Sequence, residues 1–495
     1  MRILKNIHFL AVTGTPISPA EFSGGLMSYV WRNRCASPRL MSNRCASPRL
    51  MPVVKNYALP LSYLIFLGLL IVGLGCHNES NPAVPGAPES DVIKIVQRNP
   101  AIRVGLLSFT PQKNIYVSSS AGEYRVFIGG GMMEFASGIS GETVKFTGED
   151  EMITFTAAGE DDAVDLNNKE ARIEMAEYTE GAYLMVGVSK SNLRPYRGTI
   201  RLILEGKNVL VVNSLPLEDY LLGVVPAEMD PSWHKEALKA QAVVSRSYAV
   251  FNIERYDKRG FDVADDERSQ KYGGVSVESA ESTDAVLDTS NQIVKFENRL
   301  AVVVFHRESG GQTAASTEVW PDSPDLPYLR GVSDIVGTVD FSKGGQYESW
   351  SNRASIDDLR EAFNREGDTY VGRYLSTLTV LGTSDSGRVQ VIDMIGEKDH
   401  VVDTLALAQA LNRRIAPEFL PSNKFTMTFE DNGYRFAGSG KGSGVGMSQW
   451  GAYQRALGDQ DYAQIIQAYF PGTEVSEIPT EGIEVVHNTR LDLIR

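Results

Sequence analysis

At 495 residues the chain has room for one large or two ordinary domains, and its formal net charge of −14, with no basic block to offset it, argues against nucleic acid as a partner. All three cysteines lie early, at Cys35, Cys45 and Cys76, so the body after them has neither an internal disulfide nor a thiolate metal site. The histidines, at 8, 77, 234, 306, 400 and 487, never pair at ligand spacing, which argues against a zinc enzyme; no metal and no cofactor is expected.

Residues 1–50 read differently from the rest. Asn33–Met41 and Asn43–Met51 are the same nonapeptide, NRCASPRLM, a duplication that builds no core. It reads as a non-native extension, with Met51 as the expected initiator. From Met51 the order is that of an export signal: Lys55, then an apolar run from Leu59 to Leu74, then Gly75-Cys76. The run is short for a membrane span. Its end resembles a lipoprotein cleavage site, with Gly73 where a branched aliphatic residue is usual, so Cys76 is the expected lipidation site; an uncleaved anchor is the alternative. Either way the body is expected outside the cytoplasm, on the envelope side of a membrane. Residues 77–99, polar and rich in proline, read as a flexible linker.

Residues 100–213 read as a strand-rich part. Apolar alternation picks out 102–107, 114–119, 124–130, 144–148, 152–157, 172–178 and 183–188, separated by Gly, Asn, Asp and Ser clusters. Thr199–Leu204 and Val209–Asn213 flank Gly206-Lys207-Asn208 as a hairpin. The acidic run Glu160-Asp161-Asp162 lacks the spacing of a calcium loop and reads as solvated surface.

The stretch from Leu215 to Ile253 organises the remainder. Tyr220 to Val225 reads as a short strand or turn, broken by Pro226. Asp230 and Pro231 then read as N-cap and first residue of a long central helix, whose face carries Trp233, Ala237, Ala240, Val244, Tyr248 and Phe251. Glu228 sits on the connection. One reading makes it a complement to the helix N-terminus; the other makes it a general acid whose pKa is lifted by Val224, Val225 and Met229.

Gln270–Gly274 reads as a turn able to line a groove, and Thr289–Arg299 with Leu300–Phe305 as a second hairpin. His306 and Ser309 suggest a serine hydrolase, but no Gly-x-Ser-x-Gly elbow surrounds the serine. Residues 321–345 are loop-rich. A helix capped by Ser355, strands at Leu375–Val380 and Arg388–Ile395, a helix over Thr404–Leu411 and a strand over Lys424–Glu430 follow. Phe436 to Ala452 has glycine at nearly every other position, the signature of tight turns or close backbone approach. Gly440-Lys441 lacks the flanking residues of a phosphate loop. Ser448 caps a helix to Leu457, and Asp461 starts a last one ending before Pro471-Gly472.

Taken together, Leu217–Met229, Ala240–Val243 with Arg246–Ala249, Ser309-Gly310-Gly311 with Thr313, and Gly444–Ala452 resemble, in order and spacing, the motifs of the bacterial SpoIID/LytB family, which takes in stage II sporulation protein D and the amidase enhancer. The resemblance runs from about Ile102 to Gly472. It implies peptidoglycan glycan strands as partner and a lytic transglycosylase acting on strands stripped of stem peptides. Glu228, in the Pro-Ala-Glu-Met motif, would be the catalytic acid. It would protonate the bridging oxygen and then deprotonate the 6-hydroxyl of the same N-acetylmuramic acid, closing a 1,6-anhydro ring, so one carboxyl suffices. Gln241, Arg246, Tyr248, Ser309, Thr313, Ser448, Gln449 and Trp450 would line the groove, with Trp450 stacking on a sugar; for Arg246 the alternative is a structural salt bridge. The other branch of the resemblance is a non-catalytic module that grips glycan and stimulates a cell-wall amidase. Ser443 stands where many members carry histidine, and Ala264–Ser269 lacks the Cys/His cluster some members have.

The expected architecture is therefore α+β: a strand-rich body, a long central helix, a C-terminal helical segment and a glycan groove between lobes. The SpoIID-like core is expected over 214–475, with 476–495 as a tail.

Overall fold

The computed structural model describes residues 91–494 except Gly130, Met132, Met133, Tyr178 and Thr489. The stretches read as an extension (1–50) and as a signal with Cys76 (51–76), and most of the stretch read as a linker, lie outside them. The fold is a strand-rich α+β one. Two largely antiparallel sheets are built from strands between Ala101 and Pro216, one of them joined by Val263–Ala264. One orders its strands Asn192–Tyr196, Leu184–Ser189, Asn114–Ser119, Val144–Gly148, Ile153–Thr156 and Val164–Asp165. The other runs Val263–Ala264, Ala101–Gly105, Asn208–Pro216, Thr199–Glu205, Glu170–Met175, Glu123–Ile128 and Glu134–Ile139. Alternate residues such as Ile115, Val117, Phe146, Ile173, Ile200, Leu202 and Val211 are buried in one shared core, as period-two alternation requires. The hairpin read around Gly206 is present, with Glu205 opposite Asn208.

The helices then follow: α1 (Leu217–Glu228), α2 (Lys235–Phe251), α3 (Ala280–Asp288), the short α4 (Ser316–Val319), α5 (Ile356–Asn364), α6 (Thr404–Arg414), α7 (Gln449–Leu457) and α8 (Tyr462–Tyr469). α1 corrects the strand or turn read at Tyr220–Val225. Leu217, Tyr220, Leu221, Val224 and Val225 are buried at helical, not alternating, spacing, and Glu218 and Asp219 occupy the first turn, where the helix dipole favours them. Pro226 falls in the last turn, so only one late hydrogen bond is lost. α2 starts later than read. His234 is its N-cap, its Nδ1 accepting from the Glu236 N–H at 3.3 Å, while Asp230 closes a preceding turn by accepting from the Ser232 N–H and hydroxyl. α2 is buried from Ala240 to Phe251; its larger aliphatic side chains each contribute about 1.5–3 kcal/mol of burial.

The second hairpin is shorter than read: Gln292–Phe296 pairs with Arg299–Leu300, and Phe305–His306 instead runs parallel to Met447–Ser448. That pairing joins the hydrolase-like segment to the glycine-rich loop. Ser355, Asp403, Ser448 and Asp461 each cap the helix that follows through a side-chain oxygen.

Residues 354–436 have a core of their own. Leu359 and Phe363 from α5, Leu407 and Leu411 from α6, and Leu378, Ile392, Met394, Phe425 and Phe436 from two three-stranded sheets form a cluster distinct from the main one. Arg388 pins this region to the main body. It is buried, with Nη2 donating to the Ser309 carbonyl at 2.9 Å and Nη1 to the Gln312 carbonyl at 3.0 Å. Gly444 makes room for it: at φ 82°, a Cβ there would stand 2.1 Å from Nη2. Finally, Val92–Val96 pairs antiparallel with Ile483–His487, so ordered strand begins inside the stretch read as linker, and the stretch read as a tail belongs to a sheet.

Candidate active site

A cavity of about 800 Å³ lies between the main body and the region with the second core. On one side stand Ala227, Glu228, Tyr248, Ser269, Lys271, Gln449 and the 304–307 segment; on the other, Gln346, Tyr347, Asn412, Arg413, Glu418 and Lys441. Gly442 and Ser443 lie along it as well.

Glu228 is the last residue of α1, not the neighbour of a following N-terminus. That position removes the dipole-complement reading, because the carbonyl end of a helix disfavours a negative charge. Oε1 accepts from the Lys271 backbone N–H at 2.6 Å. Burial pushes the carboxyl above its ordinary range. The Lys271 N–H, the Lys271 charge and the Gln449 amide pull the other way, and burial prevails. A carboxyl that keeps its proton longer than usual beside an open cavity is suited to general-acid work.

Its supports come from α2. Gln241 is fully buried, donates to Ser245 Oγ at 2.9 Å, and its Oε1 faces Gln449 Nε2 at 3.4 Å, orienting the amide that meets Glu228. Tyr248 lines the cavity itself, its phenol held above the usual range by burial, so it remains a neutral donor. Arg246 is different. It is completely buried and grips Glu218 of α1 in a two-pronged pair, Nε to Oε1 at 2.8 Å and Nη2 to Oε2 at 2.7 Å, with Nη1 donating to the Gln292 carbonyl at 3.1 Å. It does not line the cavity; the salt bridge is its role, and it fixes α1, hence Glu228, against α2.

Three more expected groove residues turn inward, and a fourth, Trp450, lies away from the cavity. The Ser309 hydroxyl donates to buried Asp334, which also accepts from Tyr469 at 2.6 Å. Thr313 Oγ1 accepts from the Val332 N–H at 2.7 Å. Ser448 caps α7 through the Gly451 N–H at 3.1 Å. Trp450 donates from its indole nitrogen to the Lys343 carbonyl at 2.8 Å and packs edge-on to Trp233; it stands outside the cavity wall. His306 cannot serve Ser309 as a base. The Ser309 hydroxyl points its proton at Asp334 instead, and burial pushes the His306 pKa down to about 3 while its Nδ1 meets the Val445 carbonyl at 3.0 Å.

The far wall was not read from the sequence. Lys441 pairs with Glu418, donates to the Tyr347 hydroxyl at 3.1 Å and lies 4.7 Å over that ring. Glu308, buried, accepts from the Tyr347 N–H at 2.8 Å and holds that strap in place. No local pattern announces these residues, since they meet only through folding.

A carboxyl ending one helix, backed by a second buried small-residue helix and facing a glycine-rich loop, is the arrangement for which comparison with known proteins gives a family. The family model described as stage II sporulation protein, SpoIID, matches residues 205–296, which span α1 to α3. The chain belongs to the SpoIID/LytB family. It is 30% identical over 281 residues to an uncharacterized protein of Brachyspira hyodysenteriae, covering 57% of this chain and 72% of that one. It is 30% identical over 293 residues to the amidase enhancer of Bacillus subtilis, covering 52% of this chain and 40% of that one. Against stage II sporulation protein D of Bacillus subtilis it is 28% identical over 285 residues, covering 54% and 76%.

Proposed function

We propose that this protein is a peptidoglycan lytic transglycosylase that cleaves peptide-free glycan strands and leaves 1,6-anhydro-N-acetylmuramic acid ends. A cell-wall role is supported by the family and by relatives named as a sporulation protein and an amidase enhancer. The observation that carries the finer reading is the Glu228 carboxyl, its proton affinity raised by burial, at the edge of a cavity large enough for sugar rings. Glu228 gives its proton to the glycosidic oxygen. As carboxylate it then takes the proton of the 6-hydroxyl, whose oxygen bonds to C1, so no water enters and one carboxyl serves both steps. Gln449 and the Lys271 N–H hold that carboxyl through the cycle. Tyr248, as a neutral donor, is placed for a sugar oxygen.

The experiment is incubation of the purified body with peptide-free glycan, followed by mass spectrometry for anhydro ends. Ends that form with the native chain and vanish with Glu228→Gln are the expected result. A second reading, a glycan-binding module that stimulates an amidase, is favoured by Ser443 in place of the motif's histidine and by the amidase-enhancer relative. Binding without new ends selects it. The apolar run from Leu59 to Leu74, followed by Gly75-Cys76, supports export and a lipid tether for either reading.

A further inference from the structure

Four basic side chains line the cavity: Lys271, Arg307, Arg413 and Lys441. Three have acid partners. Lys271 Nζ lies 3.7 Å from Glu267, Arg413 Nη1 lies 3.6 Å from Glu366, and Lys441 pairs with Glu418. Among the described residues, Arg307 has no carboxylate within the 4.0 Å of an ion pair, and its guanidinium donates to no protein acceptor. The acids in electrostatic reach are exposed Asp230 and buried Glu308, and Glu308 is occupied by the Tyr347 N–H. Arg307 is nevertheless well positioned. Its carbonyl accepts from the Trp450 N–H at 3.0 Å, and its guanidinium lies 4.8 Å over the Trp233 ring, itself stacked on Tyr453. Stacking fixes the plane and leaves the N–H edge free. A half-buried, oriented guanidinium with unused donors is a carboxylate receptor.

We infer that Arg307 binds the free lactyl carboxylate of a muramic acid residue that carries no stem peptide, and so sets the preference of this cavity for peptide-free glycan. The inference rests on the glycan reading above. The lactyl group hangs from C3 of the sugar whose C1–oxygen bond would break, so its receptor must share a cavity with the acid, as Arg307 does with Glu228. A stem peptide turns that carboxylate into an amide. The negative charge goes, and with it the second acceptor oxygen that a two-pronged pair needs.

The test uses the Glu228→Gln variant of the full body, which holds ligand without turnover, at low ionic strength. Three probes of equal length are titrated: peptide-free glycan, the same glycan with its lactyl carboxyls converted to methylamides, and a chitin oligosaccharide. The parent is expected to bind the free acid about tenfold tighter than the amide or chitin, a margin that shrinks as salt rises. Adding Arg307→Gln, which melts with the parent, is expected to bring all three to the weaker value. If the double variant keeps the margin, or if the parent binds all three alike, the role of Arg307 is overturned while the glycan reading stands. If the parent binds none of them, the glycan reading falls, and this inference with it.

Discussion

The two walls of the cavity are built on different principles. The wall that holds Glu228 is an extension of the main core: α1 and α2 are buried along most of their length, and the charged groups behind them, Glu218 and Arg246, are locked in a pair with no freedom. The wall that holds Tyr347, Glu418 and Lys441 is assembled from loops, Glu418 from the region with the second core and Tyr347 and Lys441 held to Glu308 by hydrogen bonds, and it presents partly exposed ion pairs. Exposed pairs contribute about 0–1 kcal/mol and rearrange easily, whereas a buried pair that loses one partner costs about 3–5 kcal/mol. The first wall suits a group that must hold one geometry during bond breaking; the second suits a surface that adapts to a bulky ligand.

The contrast is open to attack on both sides. The largest expected effect is Glu228→Gln, which is expected to lower anhydro-end formation by at least about a thousandfold, read by mass spectrometry, with glycan binding retained. Glu218→Ala strands the buried Arg246 charge and is expected to cost about 3–5 kcal/mol, read as a lower midpoint in urea, although neither residue meets the ligand. A pH effect comes next. The folded-state pKa of Glu228 lies above its ordinary value of 4.5, so the folded chain holds that proton longer than the unfolded one. Its contribution is complete below 4.5 and is lost as pH rises through the folded value. Glu228→Gln is therefore expected to melt higher than the native chain at neutral pH, with the gain shrinking to nothing in acid, and the proposed cleavage by the native chain is expected to decline over the same rise in pH. The smallest effect belongs to the far wall: Lys441→Gln is expected to raise KM a few-fold with kcat unchanged and to shift stability by less than about 1 kcal/mol. A loss of kcat there would erase the distinction between the walls.

What the sequence disclosed follows the same division. Glu228, Gln449 and Tyr248 line the cavity, and each sits in a local motif whose spacing survives folding. Arg246, Ser309, Thr313 and Ser448 belong to equally distinctive motifs, yet they are buried props. A motif marks residues that fold together and does not say which of them face outward. Trp450 lies outside the cavity wall for a related reason: an aromatic beside a glycine loop packs on a partner ring, Trp233, more than two hundred residues earlier in the chain. Arg307 was passed over as part of an unproductive serine motif, and the second wall depends on contacts between distant segments. The strand read at Tyr220–Val225 failed because paired apolar residues at helical spacing were masked by two adjacent valines and a proline.

The pairing of Val92–Val96 with Ile483–His487 has a consequence for how such a body is carried. Entry and exit of the folded unit lie side by side, so it can be spliced into a larger polypeptide as a self-closing cassette without stretching either neighbour. A circularly permuted form, joined across that seam and reopened at the Gly206-Lys207 hairpin tip, would keep every buried contact of the first wall.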